Sequence, residues 1–189
     1  MTIGSSIKAK IDELKREFDQ LKTEKSSLLN LIDEAEVAES VYNSNAIENS
    51  TLTLKETEKI LMEMEVSRDI SLREVFEAKN LARVFEYLKN KEKTDLTPEL
   101  ILFLHKMLLS GINDEIAGRF RKENEYVRVG MFIAPPPEHV EHRMKELLVT
   151  YTSDFSSYFL EKIAKFHLEF ETIHPFNDGN GRLGRALSN

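Results

Sequence analysis

The chain has 189 residues, 41% hydrophobic and 31% charged, so it can bury an ordinary core and is not a disordered polar segment. Its 26 Lys and Arg against 33 Asp and Glu give a net charge of −7, which argues against a nucleic-acid binder and a polybasic membrane anchor. The absence of cysteine excludes disulfides, thiolate zinc sites and a cysteine nucleophile. With no signal-peptide core and no long apolar run, we expect a soluble, cytoplasmic protein.

The first predicted element is one amphipathic helix over residues 5–33, within an N-terminal arm of residues 1–35. Its apolar residues follow heptad spacing, with Lys25 as the one interruption: Ile7, Ile11, Leu14, Phe18, Leu21, Leu28 and Ile32. We expect this arm to lie along its own domain or against the next helix. The alternative is a homodimer formed through the seam over residues 7–32.

Polar residues mark where the next helices begin. Two pairs match the reciprocal capping box, in which a Ser or Thr precedes a Glu by three residues: Thr53 with Glu56, and Ser71 with Glu74. Thr97 followed by proline predicts a third start, and Gly111 closes that helix. Its apolar face is predicted to contain Ile101, Leu104, His105 and Leu108.

The stretch from Tyr126 to Pro137 does not look helical. Apolar residues alternate with Arg128 and Gly130, and three prolines end the run, which predicts a short β-hairpin flap. Two helices are predicted after it. The apolar face of the second is predicted to be Leu160, Ile163, Ala164, His167 and Phe170.

The chemistry is concentrated in residues 174–185, His-Pro-Phe-Asn-Asp-Gly-Asn-Gly-Arg-Leu-Gly-Arg. Pro175 disfavours helical geometry at the residue before it, so the preceding helix must end near Ile173. The glycines that follow allow a tight turn and a close approach of a ligand to the backbone. A helix that begins at about Gly181–Arg182 would direct its first N–H groups at an anion.

Charged side chains in the same segment suit a polyphosphate. Arg182 and Arg185 are three residues apart, so we expect both guanidiniums to reach the space above the helix. Asp178 could hold a divalent cation that bridges the phosphates. His174 is placed to accept a proton from an attacking hydroxyl.

These twelve residues resemble the signature of the Fic family, His-Pro-Phe-x-(Asp/Asn)-Gly-Asn-Gly-Arg-x-x-Arg, at every specified position. The resemblance implies an all-α fold, a Fic-type helical bundle with a short β-hairpin flap. It implies transfer of AMP from ATP to a Ser, Thr or Tyr hydroxyl of a target protein, and of the enzyme itself. The target would dock along the flap, residues 126–137.

The resemblance also assigns roles within the signature. His174 would be the general base and Asp178 the Mg²⁺ ligand. The nucleotide would be bound through the remaining positions, which are Phe176, Asn177, Gly179, Asn180, Gly181, Arg182 and Arg185. Among these, Phe176 would anchor the loop in the core. Arg182 would hold the β-phosphate and Arg185 the γ-phosphate.

Upstream, residues 44–49 read Ser-Asn-Ala-Ile-Glu-Asn and resemble the inhibitory motif of the same family, (Ser/Thr)-x-x-x-Glu-(Gly/Asn). The domain is accordingly assigned to residues 36–189, with an N-terminal inhibitory helix over residues 36–50. Glu48 would pair with Arg185 and occupy the γ-phosphate position. Ser44 would tie the helix to the site, and Asn49 completes the motif.

Two functions remain open beside an autoinhibited adenylyltransferase. One is an enzyme of the same fold that removes AMP or transfers another phosphate-containing group. The other is a catalytically silent binding module, because the resemblance implies further helices after Asn189. We expect a domain truncated at its C-terminal end, or a short one whose loop the N-terminal helices hold.

Overall fold

The computed structural model describes residues 3–24, 26–66, 69–91 and 95–189. These residues form helices and one two-stranded sheet. In chain order the elements are α1 Ser5–Glu24, α2 Ser26–Ile47, α3 Leu54–Met62, α4 Leu72–Lys89, α5 Pro98–Leu109, β1 Arg128–Val129, β2 Phe132–Ile133, α6 Pro137–Ser153, α7 Phe159–Ile173 and α8 Asn180–Ser188. Within the described ranges, no helix is both long enough and apolar enough to cross a membrane. The predicted all-α bundle with a small hairpin is confirmed.

The described residues on both sides of Lys25 are helical, in α1 and α2, and the prediction of one continuous helix over residues 5–33 stays a prediction. Lys25, between them, lies outside the described residues, as does the side chain of Leu28. The start of α1 lies on α7, where Lys8 pairs with Glu161 at 2.8 Å. The seam stays half exposed, for example at Leu14. The homodimer and the boundary at residue 35, which falls inside α2, stay predictions.

The predicted helix starts are confirmed at the caps of α3, α4 and α5. Thr53 forms the full capping box, because its N–H donates to Glu56 Oε2 at 2.9 Å while its Oγ accepts from the Glu56 N–H. At α4 the reciprocal part of the prediction is wrong. Ser71 Oγ accepts the Glu74 N–H, but Glu74 Oε1 instead accepts the Thr51 N–H at 2.6 Å.

The core lies where α4 and α5 meet α7 and α8. The predicted face of α5 is confirmed, because all four of its residues are fully buried. The face predicted for α7 is wrong in part, since Ala164 is exposed. The buried stripe of α7 runs instead through Phe166, Phe170 and Ile173, since this side of the helix meets α6 and α8.

The predicted hairpin flap is confirmed. β1 and β2 pair antiparallel with Val129 opposite Phe132, so the turn consists of Gly130 and one further residue. Gly130 has φ 58°, a conformation that glycine adopts without strain. Both strands are exposed, which leaves the apolar side chain of Ile133 in solvent.

Candidate active site

The site begins where α7 ends, at His174. The predicted stop before Pro175 is confirmed: His174 adopts the left-handed conformation, with φ 49° and ψ 63°. Its N–H still donates to the Phe170 carbonyl at 2.9 Å. The chain therefore turns sharply at the histidine and enters the loop that leads to α8.

A buried arginine holds this turn from below. Arg121 is 4% exposed, and its guanidinium donates to the carbonyls of His174 at 2.9 Å, Glu125 at 2.9 Å and Pro135 at 2.8 Å. Its own N–H donates to the Pro175 carbonyl at 3.0 Å. One side chain thus links the backbone of the loop after α7 to the base of the flap.

The loop itself is clamped by two side chains. Asn180 accepts the Phe176 N–H at 2.9 Å and donates to its carbonyl at 2.8 Å. The fully buried Phe176 ring stacks on His105 with a centroid separation of 3.7 Å. Phe176 therefore lies in the core as expected. The Asn180 side chain is therefore occupied by hydrogen bonds within the loop.

His105 supports the loop from α5. Its Nδ1 accepts the Gly118 N–H at 3.0 Å, so its Nε2 carries the proton and donates to the Asp178 carbonyl at 3.0 Å. Burial lowers the pKa of His105 to about 4, so the ring is neutral at neutral pH. Its two hydrogen bonds hold the glycine turn in place from the side of α5.

The first amides of α8 have no partner within the helix. The helix begins at Asn180, slightly earlier than predicted, after Gly179 with φ 82°. No side chain in the described part of the protein caps it. The first intrahelical bond is donated by the Leu183 N–H, so the preceding N–H groups could bind an anion, and the predicted anion site stays a prediction.

A carboxylate of the same chain lies at this N-terminus. A Cβ on Gly181 would collide with Glu48 Oε1 and would lie 2.9 Å from Arg185 Nη1. Glu48 Oε1 pairs with Arg185 Nη2 at 2.8 Å. Ser44 completes the arrangement, because its Oγ accepts from Arg185 Nε at 2.9 Å and its carbonyl from Nη2 at 3.0 Å. The structure therefore brings together the predicted Ser44, Glu48, Gly181 and Arg185.

The second arginine, Arg182, pairs with carboxylates in this structure, and its predicted approach to the phosphate space beside Arg185 stays a prediction. Arg182 is 3% exposed and pairs with Asp178 Oδ1 at 3.0 Å and Glu77 Oε1 at 3.1 Å. Helical spacing predicts the direction of the Arg182 side chain only coarsely, and its guanidinium pairs with Asp178, four residues earlier. Asp178 Oδ2 pairs in turn with Arg73 at 2.9 Å.

His174 faces a partly buried carboxylate. Its Nδ1 lies 3.8 Å from Glu171 Oε2 and has no hydrogen-bond partner among the described residues. Burial lowers the pKa of His174 and raises the pKa of Glu171. A neutral imidazole can accept a proton, which is what a general base requires.

Asn177 lies on the flap side of the loop. Its amide donates to the carboxylate of Glu125, which is also paired with Arg119 at 2.7 Å. These donors hold the pKa of Glu125 at about 2. The predicted nucleotide contact of Asn177 therefore stays a prediction.

The residues around Asp178 suit a cation that the protein holds weakly on its own. Among the described residues, no group of three or more His, Asp or Glu side chains converges as a metal site. Mg²⁺ commonly takes one or two carboxylates and completes its shell with phosphates and water. One hard carboxylate beside an anion-binding helix end fits that pattern.

Comparison with known proteins accords with this geometry. The sequence model of the Fic/DOC family matches residues 95–189. The chain belongs to the Fic/DOC family. A protein adenylyltransferase of Caenorhabditis elegans is 33% identical over 156 residues, covering 79% of this chain and 30% of that protein.

Solved Fic structures share the fold. A Fic family protein from Desulfovibrio desulfuricans has a TM-score of 0.80 at 29% identity, over 100% of this chain and 57% of that one. A Fic-domain signalling protein from Bacteroides thetaiotaomicron has a TM-score of 0.81 at 29% identity, over 95% and 70%. The chain spans about 30% of the length of the curated relatives that it matches.

The geometry explains why Asn suits the last position of the motif that is predicted to be inhibitory. Helix α2 ends at Ile47, earlier than the predicted residue 50, and Glu48 and Asn49 form its cap. Asn49 is left-handed with φ 66°, while the Ser50 N–H donates to the Asn45 carbonyl and the Asn49 N–H to the Ala46 carbonyl, each at 3.0 Å. This is a Schellman cap, whose left-handed residue favours Gly or Asn.

Several residues of the Fic site were not identified from the sequence. Their contacts bridge distant segments, as between Arg121 and Pro135 or between Arg73 and Asp178. His105 was predicted as a face residue of α5, yet nothing near it in the sequence indicated a contact with the glycine turn. Glu74 was predicted to cap α4, but the hydrogen bond that its carboxylate accepts from the Thr51 N–H was not predicted.

Proposed function

We propose that this Fic protein is an autoinhibited protein adenylyltransferase, which transfers AMP from ATP to a hydroxyl side chain of a protein target. The observation that supports it most is the position of the Glu48 carboxylate, over Gly181 and against Arg185. The uncapped N-terminus of α8 and a guanidinium together attract anions. Here the chain supplies the anion itself, in the place proposed for the γ-phosphate.

Release of Glu48 would make this cradle available to ATP. The first amides of α8 would bind phosphate oxygens, and Arg185 would pair with the γ-phosphate in place of Glu48. Buried Arg182 would keep Asp178 directed at the phosphates. When bound, Mg²⁺ at Asp178 would stabilise the negative charge of the phosphates and of the departing pyrophosphate.

His174 would act on the target. Its burial favours the neutral imidazole, and its backbone is fixed by Arg121. It would accept the proton of the target hydroxyl as the oxygen bonds to the α-phosphorus and the bond to pyrophosphate breaks. Positioning of ATP and target within one rigid loop would supply most of the acceleration.

The flap is the proposed target-docking edge. Its two short strands are exposed, and Met131 at the turn is 96% exposed. An extended segment of a target could add to such an edge through backbone hydrogen bonds. The base of the flap is bonded to the same arginine as His174, which would bring a docked hydroxyl toward the imidazole.

Incubation with ATP labelled at the α-phosphate and Mg²⁺ tests the proposal. We expect the Glu48→Gly variant to label itself and added proteins, with AMP additions detectable by mass spectrometry. The double variant Glu48→Gly/His174→Ala is the control and should transfer nothing. Removal of AMP from a modified protein without any transfer, or failure to bind ATP, would contradict the proposal.

A further inference from the structure

Both carboxylate oxygens of Asp178 are already paired with arginines. Oδ1 faces Arg182 at 3.0 Å and Oδ2 faces Arg73 at 2.9 Å. A divalent cation would need at least one of these oxygens, since it binds through carboxylate lone pairs. Each oxygen keeps a second lone pair, but a cation bound there would lie close to a guanidinium, so the two positive charges repel each other unless one arginine moves away.

The two arginines differ in how readily they can leave. The Arg182 side chain is 3% exposed and enclosed by the core, whereas the Arg73 side chain is 59% exposed. Arg73 also has a second partner, because its Nε donates to Glu77 Oε1 at 2.9 Å. It can thus release Asp178 and keep a carboxylate contact. Arg182 has no comparable path to solvent.

We propose that Arg73 competes with the divalent cation for Asp178 and so sets the affinity of the site for Mg²⁺. This inference depends on the proposed function, in which Asp178 is the cation ligand. Arg73 occupies Oδ2 in the absence of nucleotide and withdraws toward Glu77 when the cation arrives with ATP. It is a positioning residue, since it acts through Asp178 and does not contact the reacting atoms.

The competition also affects whether Mg²⁺ binds alone or together with ATP. A free cation alone has one carboxylate to gain and an ion pair to break, so it binds weakly. A cation already carried by ATP brings phosphate ligands that offset the loss of the Arg73 contact. The proposal therefore predicts that Mg²⁺ and ATP bind together, and that loss of Arg73 strengthens the effect of Mg²⁺ on ATP affinity.

The test measures ATP affinity by calorimetry, once with MgCl₂ and once with EDTA, in the Glu48→Gly background. The ratio of the two affinities reports how much Mg²⁺ contributes to ATP binding. Exposed ion pairs are weak, so we expect Arg73→Ala to raise this ratio about two- to five-fold. Arg83→Ala, an exposed arginine on the same helix, is the matched control and should leave it unchanged.

A ratio for Arg73→Ala equal to or below that of the background, with the same melting temperature, would overturn the competition. Asp178→Asn separates this from the proposed function. If it removes the Mg²⁺ enhancement, Asp178 is the ligand and the Arg73 result stands by itself. If the enhancement survives in Asp178→Asn, the proposed cation site is wrong and the inference falls with it.

Discussion

The charge of Glu48 should account for most of the proposed inhibition, and the size of this electrostatic effect can be worked out from the structure. Glu48 Oε1 lies 2.8 Å from Arg185 Nη2, and the Glu48 side chain is 46% exposed. A phosphate at that position would meet a like charge about 4 Å away, which costs ~1 kcal/mol in water and ~4 kcal/mol near a protein surface. Because Glu48 is half exposed, we expect about 2 kcal/mol, or a roughly 30-fold weaker affinity for ATP.

Calorimetric titration with ATP and Mg²⁺ measures this difference directly. Glu48→Gln keeps the length of the side chain and removes its charge, so it should gain most of the affinity. Glu48→Gly also vacates the space over Gly181 and should bind ATP at least as tightly as Glu48→Gln. Glu39→Gln removes an exposed carboxylate from the same helix and is the matched control.

Two results would refute this reasoning. If Glu48→Gln binds ATP within two-fold of the parent while Glu48→Gly binds it far more tightly, the inhibition is steric. If both variants resemble the parent at equal thermal stability, Glu48 does not inhibit the site at all. The first outcome would correct the electrostatic argument, and the second would remove the inhibitory role.

Three further predictions follow from the supports of the site. Asn49→Val should raise the affinity for ATP part of the way towards that of Glu48→Gln, because a left-handed residue other than Gly or Asn costs about 1–2 kcal/mol and would loosen the cap that holds Glu48. Asn49→Gly should leave the affinity unchanged, so equal affinities for the Val and Gly variants would contradict this prediction. The pKa of His105 is about 4 in the folded protein, below its value in the unfolded chain. The contribution of the neutral ring to the free energy of unfolding is therefore fully present above about pH 6.5, and ~3 kcal/mol of it is lost as the pH drops to 4. Urea unfolding should show a flatter pH dependence in His105→Gln, and parallel curves would refute the assignment. Arg121→Ala should destabilise by about 3 kcal/mol, because it removes a charged donor from several buried carbonyls, and should lower Tm by ~6–12 °C in calorimetry; an unchanged Tm would show that these bonds contribute little.

Local signals in the sequence predicted the helix starts and the loop well. Thr53 and Glu56 form their capping box from neighbouring residues, and Pro175 ends α7 by sterics alone. Heptad spacing predicted helix on both sides of Lys25, and α1 and α2 cover those two stretches.

The site was predictable where its residues are close in the sequence. Ser44 and Glu48 lie one helical turn apart, so their shared approach to Arg185 followed from spacing once the motif was identified. Arg182 illustrates the limit, because its direction depends on competition between Asp178 and Glu77. Contacts between segments far apart in the chain are fixed by packing, which a single sequence does not encode locally.

Arg121 also bears on how a bound target could be sensed. Its guanidinium holds the carbonyls of His174 and Pro135, so the root of the flap and the backbone of the histidine are joined through one rigid planar group. A pull on the flap would be transmitted to the imidazole within a single side chain. Binding of a target at the flap and the orientation of the His174 imidazole would then be coupled through Arg121.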